Sequence, residues 1–332
     1  MTQLLLVSLG AGAASALMFA ALATGSALAI GLFYLAPLPI LLAGMAWTHW
    51  AGFGAALVGA LGLGVVLGPW FFFSYFVAVG LPAAMLAYLA LLARPSPATP
   101  DALEWFPAGR LVLAAAIIAA ITISIVIPFF GLDFESYRAT MRAALERVLR
   151  LQMNTPAGQP LRLPGGGDPT RLLDLFVVAL PPGAGVLMMV TNLANLWIAG
   201  RIARASGRLK RPWPEISAMT FPGATPIVLA AAVALSLTSG LLSLIATIFS
   251  ATLLMAYAVM GFAVLHGVTA GLASRGLILG AVWALVLLLG WPLTVVAVVG
   301  LADAALGLRA RAARRRGPPT PPNHPRDPNR QE

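Results

Sequence analysis

Cysteine does not occur in this chain, which removes disulfides, thiolate metal sites and cysteine nucleophiles together. Charge is scarce as well: Asp, Glu, Lys and Arg make up 10% of the 332 residues, against about 25% in a soluble domain. The first ten residues, MTQLLLVSLG, hold no basic side chain, so the positive n-region of a secretory signal is missing and the first apolar run is expected to stay as a span. HExxH, GxSxG, CxxC and paired intramembrane carboxylates are also missing, and the few histidines (His49, His266, His324) fall far apart. These absences predict no catalysis, no cofactor and no metal site.

Apolar residues are what the chain has, at 60% of the total and a mean hydropathy of +0.90. Stretches such as 3–23, 70–93, 111–130 and 243–265 run without a charge, and about 20 such residues cross about 30 Å of hydrocarbon as a helix. Alternating strands of the outer-membrane barrel type are not seen, so the expected fold is an all-α polytopic bundle of 8–10 spans occupying residues 1–310. Spans are placed near 3–23, 27–47, 51–68, 70–93, 110–130, 172–200, 224–241, 243–268, 276–290 and 291–308. The last two come from one apolar block divided at Trp291-Pro292, read as two short crossings or a re-entrant pair.

Basic residues orient the spans. With the N-terminus inside, Arg94, Arg110, the Arg201–Arg211 cluster, Arg275 and the tail put fifteen of 21 basic residues on the cytoplasmic side of an inner membrane, with both termini there. Residues 131–171 then form an outside loop. In it Phe134, Tyr137, Met141, Leu145 and Val148 recur at helical spacing, while Arg138, Arg142, Glu146 and Arg150 fall elsewhere. That pattern predicts an amphipathic interfacial helix, with Glu135–Arg138 and Glu146–Arg150 pairs along it. The following PGGGDP lacks the Lys-Ser/Thr of a phosphate loop and reads as a linker.

Small residues recur every four positions in the first span (Ser8, Gly12, Ala16, Ala20) and the third (Gly52, Ala56, Ala60, Gly64, Gly68), faces that let helix backbones approach closely. Pro181-Pro182-Gly183 interrupts the sixth span and is expected to kink or split it.

Four polar residues lie within apolar spans. Asn195 precedes Arg201 by six residues and Asp303 precedes Arg309 by six, which is about 9 Å of helix; Asn192 and His266 lie about 13 Å from Arg201 and Arg275. Similar depth on separate helices suggests one shared layer, in which Asp303 pairs with His266, an asparagine amide or a bound cation. Its role is an interhelical clamp or a solute site.

Five cations (Arg201, Arg204, Arg208, Lys210, Arg211) precede Pro212-Trp213-Pro214, and five more (Arg309, Arg311, Arg314, Arg315, Arg316) open a proline-rich tail at 311–332 that is expected to be disordered. Such clusters set topology and contact anionic lipid. Without aromatic interleaving or a folded module they do not point to nucleic acid.

The stretches NLANLWIAGRI, PWPEISAMTFP, GFAVLHGVTA and GLADAALGLRAR resemble the YybS-like family of bacterial membrane proteins, domain of unknown function 2232. The resemblance implies a distant similarity to the solute-binding S components of energy-coupling-factor vitamin transporters. This chain adds spans and a long outside loop to their six-helix pattern. The expected function is therefore small-solute binding or transport in the membrane, with a membrane scaffold or assembly factor, bound to lipid or to a partner protein, as the rival.

Overall fold

The computed structural model describes residues 1–97, 102–156, 159–161 and 167–315. Each apolar block is helical. The order is α1 Thr2–Ala20, α2 Ala27–Leu35, α3 Pro37–Ala46, α4 His49–Leu67, α5 Pro69–Tyr75, α6 Leu81–Leu91, α7 Ala108–Val126, α8 Phe134–Gln152, α9 Pro169–Ala205, α10 Thr225–Ser236, α11 Gly240–Val268, α12 Arg275–Leu289, α13 Pro292–Leu306 and α14 Leu308–Arg315. A π-helical turn, Phe76–Gly80, joins α5 to α6. Among the described residues the only sheet is a ribbon of β1 Ala93–Pro95 and β2 Leu103–Trp105, closed by an Arg94–Glu104 ion pair at 2.9 Å.

Seven helical segments have the length and hydropathy to cross a bilayer, while α10, α12 and α13 are apolar but shorter. All ten expected segments thus exist, and the block after Ser274 does divide at Trp291-Pro292 into a helical hairpin. Residue 311 onward is not uniformly irregular: α14 continues to Arg315. Arg316 and the rest of the tail, and residues 162–166 of the linker, lie outside the described residues.

Close backbone approach organises the packing. α1 turns Ser8, Gly12 and Ser15 inward. Ser8 meets Ala51 and Gly54, while Gly12 lies against Ala55 and Val58, so α1 and α4 run side by side in the same direction. The Gly52 row of α4 faces other neighbours: Gly52 touches Gly44, Ala56 touches Gly80, and Gly64 touches Phe72. In α11 and α13, Gly261 abuts the Val296 carbonyl and Gly300 the Tyr257 carbonyl, leaving no room for a Cβ at either glycine. α12 has no buried residue and meets the bundle through Trp283, stacked on Phe262 with ring centroids 4.1 Å apart.

The amphipathic helix α8 forms as expected, with a capping box of Asp133 and Ser136. It is not a passive surface element. Tyr137 is fully buried among Ile127, Val177, Leu244 and Ile248, and Arg138 and Arg142 each reach Asp174 of α9 at 3.2 Å. Arg138 therefore leaves Glu135 for a residue on another helix, whereas Glu146 and Arg150 do pair, at 2.8 Å.

Pro181 and Pro182 do not split the sixth span; α9 is one helix of 37 residues. One of the two carbonyls left without a helical donor is met from another helix. The carbonyl of Val177 would accept from the N–H of residue 181, which proline lacks. The Tyr137 hydroxyl supplies that donor, 2.8 Å from the Val177 oxygen. Burial pushes its pKa to about 12, so the phenol stays protonated and able to donate.

Tyr137→Phe should destabilise the protein by about 1–3 kcal/mol, the cost of an unsatisfied buried carbonyl. Adding Pro181→Ala should recover most of that loss, because alanine restores the helical N–H at that position. Thermal melts of the two single variants and the double variant decide it, and strictly additive losses would show that the phenol acts otherwise.

Candidate functional site

The two asparagines of α9 sit one helical turn apart and are 3% and 2% exposed. Asn195 is a clamp: its Nδ2 donates to the carbonyl of Tyr34 and to that of Thr191 in its own helix, both at 2.8 Å. Tyr34 lies in the last turn of α2, just before Pro37 and Pro39 interrupt the backbone ladder. On the other side of this joint Ser15 of α1 donates to Ala36, and Tyr75 donates to Ser15 at 2.7 Å. Side chains from three helices thus hold the proline-broken corner.

Asn192 differs. Both carboxamide oxygens are buried without a hydrogen-bond partner, which costs about 1–3 kcal/mol for each if left so, but only Asn192 borders open volume. It lines a cavity of about 240 Å³ with Phe33, Tyr34, Val79, Met188 and Thr191. Two backbone irregularities converge on this cavity, the α2–α3 joint at Pro37 and the π-helical turn at Ala78 and Val79, and α9 lines it at Ala184, just after Pro181-Pro182. Irregular helix at membrane depth is tolerated where it is buried in protein or lines a cavity, and π-turns occur often at functional sites.

Asp303 and His266 belong to another place. They border a larger cavity, about 810 Å³, at the end of the bundle that carries the basic residues, together with Ser217, Phe221, Met260 and Arg309. The expected pairing of Asp303 with His266 or an asparagine is not found. Gly307, at φ +62°, reverses the chain after α13 and turns Arg309 back onto Asp303. The Asp303 carboxylate accepts from the Arg309 backbone N–H at 2.9 Å, from Nε at 2.9 Å and from Nη2 at 2.7 Å. Arg309 Nη1 meanwhile donates to the carbonyls of Ser217 and Met219, each at 2.8 Å. Among the described residues His266 bonds within its own helix, Nδ1 to the Phe262 carbonyl at 2.8 Å. The four polar residues therefore form two groups, and the single polar layer expected from their depth does not exist.

A family model described as "Predicted membrane protein (DUF2232)" matches residues 13–304, nearly the whole helical bundle. The chain belongs to this family. It is a polytopic α-helical membrane protein. Comparison with curated proteins and with solved structures returns no match.

The arginines of this DUF2232 protein divide in a way that sequence spacing did not reveal. Arg201 lies over Trp197 at 5.5 Å, Arg204 over Trp213 at 5.5 Å and Arg208 over Trp47 at 4.5 Å. These three, with Lys210, Arg311 and Arg314, are exposed and free to face lipid headgroups or solvent. Arg309 and Arg211 are not: the first is engaged with Asp303, and the second is buried between α6 and α7. Neither lies open on the surface as the spacing of the two clusters suggests. The missed signal for Arg309 was Asp-x₃-Gly-x-Arg, an acid, a turn-forming glycine and a base in short order.

Asp303→Ala strands a half-buried guanidinium and should cost about 3–5 kcal/mol. Replacing both partners by apolar residues, Asp303→Leu with Arg309→Met, should cost less than either single change. Detergent thermal melts would report both; equal stability of Asp303→Ala and wild type would show that the clasp holds nothing.

Proposed function

We propose that this protein binds a small solute within the membrane, in the cavity faced by Asn192, and takes part in its uptake in the manner of an S component rather than by catalysis. The observation that carries the reading is the buried carboxamide oxygen of Asn192, without a partner among the described residues, on a cavity where two interrupted helices meet the proline-bearing α9. Discontinuous helices around a cavity near mid-membrane are a common construction for substrate sites in transporters. The cavity is below the usual ligand-pocket range of about 300–1,000 Å³, and its lining is mostly apolar. The solute this favours is therefore compact, weakly polar and equipped with an N–H or O–H to meet the amide. The same reading places the protein in the bacterial inner membrane, with the arginine-bearing end and both termini on the cytoplasmic side, following the distribution of basic residues.

A second reading, a membrane scaffold or assembly factor, is favoured by the open cavity beside Asp303. Its rim carries Glu215, Arg275 and Arg309, a mixed-charge surface able to receive a partner protein.

Purified protein can be screened by thermal shift against small solutes that carry hydrogen-bond donors. A true ligand should stabilise wild type and bind about tenfold more weakly to Asn192→Leu, while that variant without ligand melts no lower than wild type. If Asn192→Leu melts lower and every compound acts on both proteins alike, the amide is structural and the scaffold reading takes over.

A further inference from the structure

The chain between α9 and α10 carries a cation where none is expected. Arg211 is 9% exposed, deeper than its neighbours Arg208 and Lys210, which are open to solvent. Its Nη1 donates to the carbonyl of Ala90 at 3.0 Å and its Nη2 to that of Phe106 at 3.3 Å. Ala90 lies in the last turn of α6, whose carbonyls have no helical partner, so these bonds cap the helix and tie it to the loop. That accounts for two of the three nitrogens. The Nε is buried and has no partner among the described residues, and none of their ion pairs includes Arg211. Carbonyl dipoles supply about half a charge at a helix end, which leaves a buried guanidinium without a full counter-ion among the described residues. Desolvation already pulls its pKa down.

Next to this cation is a second cavity, about 190 Å³, lined by Arg211 and by Leu111, Leu196, Trp197, Gly200, Trp213 and Val259. It is apolar apart from Arg211. Trp197 is half exposed at its edge, and Trp197, Trp213 and Trp47 lie beneath Arg201, Arg204 and Arg208. An aromatic belt with basic residues above it marks the headgroup level of a bilayer. The cavity therefore lies just inside one leaflet boundary, with the Arg211 side chain in its lining and hydrocarbon-like walls.

We propose that this cavity holds an anionic amphiphile of that leaflet: an oxyanion headgroup, phosphate in type, on Arg211 and the start of an apolar chain among Leu111, Leu196 and Val259. The headgroup supplies the missing counter-charge. A freely soluble phosphate satisfies the charge but not the walls, and a neutral lipid satisfies the walls but not the charge. The site is separate from the Asn192 cavity and stands whether or not a solute binds there.

The test uses the full chain purified into nanodiscs of phosphatidylcholine, with and without phosphatidylglycerol, at about 1 M salt, where the Debye length of about 3 Å silences exposed cations. Phosphatidylglycerol should raise the melting temperature and remain bound in native mass spectra. Arg211→Gln should retain about tenfold less of it. Gly200→Val, which keeps every Arg211 bond but puts methyl groups into the cavity beside Trp213 and Met45, should lose the lipid to a similar degree, and so covers the case in which Arg211→Gln does not fold. Arg204→Gln should retain wild-type levels. Equal retention by Gly200→Val and wild type, stabilisation by phosphatidylcholine alone, or full stabilisation by inorganic phosphate would each overturn the proposal.

Discussion

A backbone carbonyl inside a bilayer has no water to fall back on, and this chain repeatedly frees such carbonyls by placing proline in its spans. Side-chain donors from other helices meet them. Tyr137 of α8 answers for Val177, left by Pro181, and at the break between α2 and α3 Asn195 of α9 and Ser15 of α1 answer for Tyr34 and Ala36. At helix ends and in the loops beside them Arg211 does the same for Ala90, and Arg309 for Ser217 and Met219. In hydrocarbon such a bond stands against an unsatisfied polar group, so it fixes which helices are neighbours more firmly than apolar contact, which lipid tails offer equally well. The scarce polar residues are thus used mainly as backbone caps.

This explains which parts of the structure could be read from sequence. Span positions, the hairpin at Trp291-Pro292 and the amphipathic α8 all follow from local hydropathy and periodicity, and the family match agrees with a polytopic bundle. Partner choice follows from three-dimensional packing. Depth along a helix axis put Asn195, His266 and Asp303 at one level, but depth says nothing about azimuth, and Asp303 found its base six residues on through the Gly307 reversal. Arg138 was likewise assigned to Glu135 by helical spacing, yet it pairs with Asp174 once α8 docks on α9. The continuity of α9 through two prolines had no sequence signal of its own, because the compensating hydroxyl is 40 residues away.

The asparagine pair shows how one motif can divide its labour. Both residues project from α9 into the bundle, but only Asn195 meets a freed carbonyl; Asn192, a turn earlier, faces open volume instead. Of the two side chains it is the one that borders space a guest molecule could occupy. The small-residue faces of α1, α4, α11 and α13 bring backbones into direct contact in the surrounding frame.

Arg309 has a consequence for biogenesis. It is translated 92 residues after Ser217 and grips that loop together with Asp303, so the turn between α9 and α10 must wait in the nascent chain until nearly all the spans have been inserted. The basic end of the bundle is consequently the last region to close. Ribosome-proximal stages of synthesis leave it open, and a protease or quality-control factor acting co-translationally would meet it before the fastening is in place.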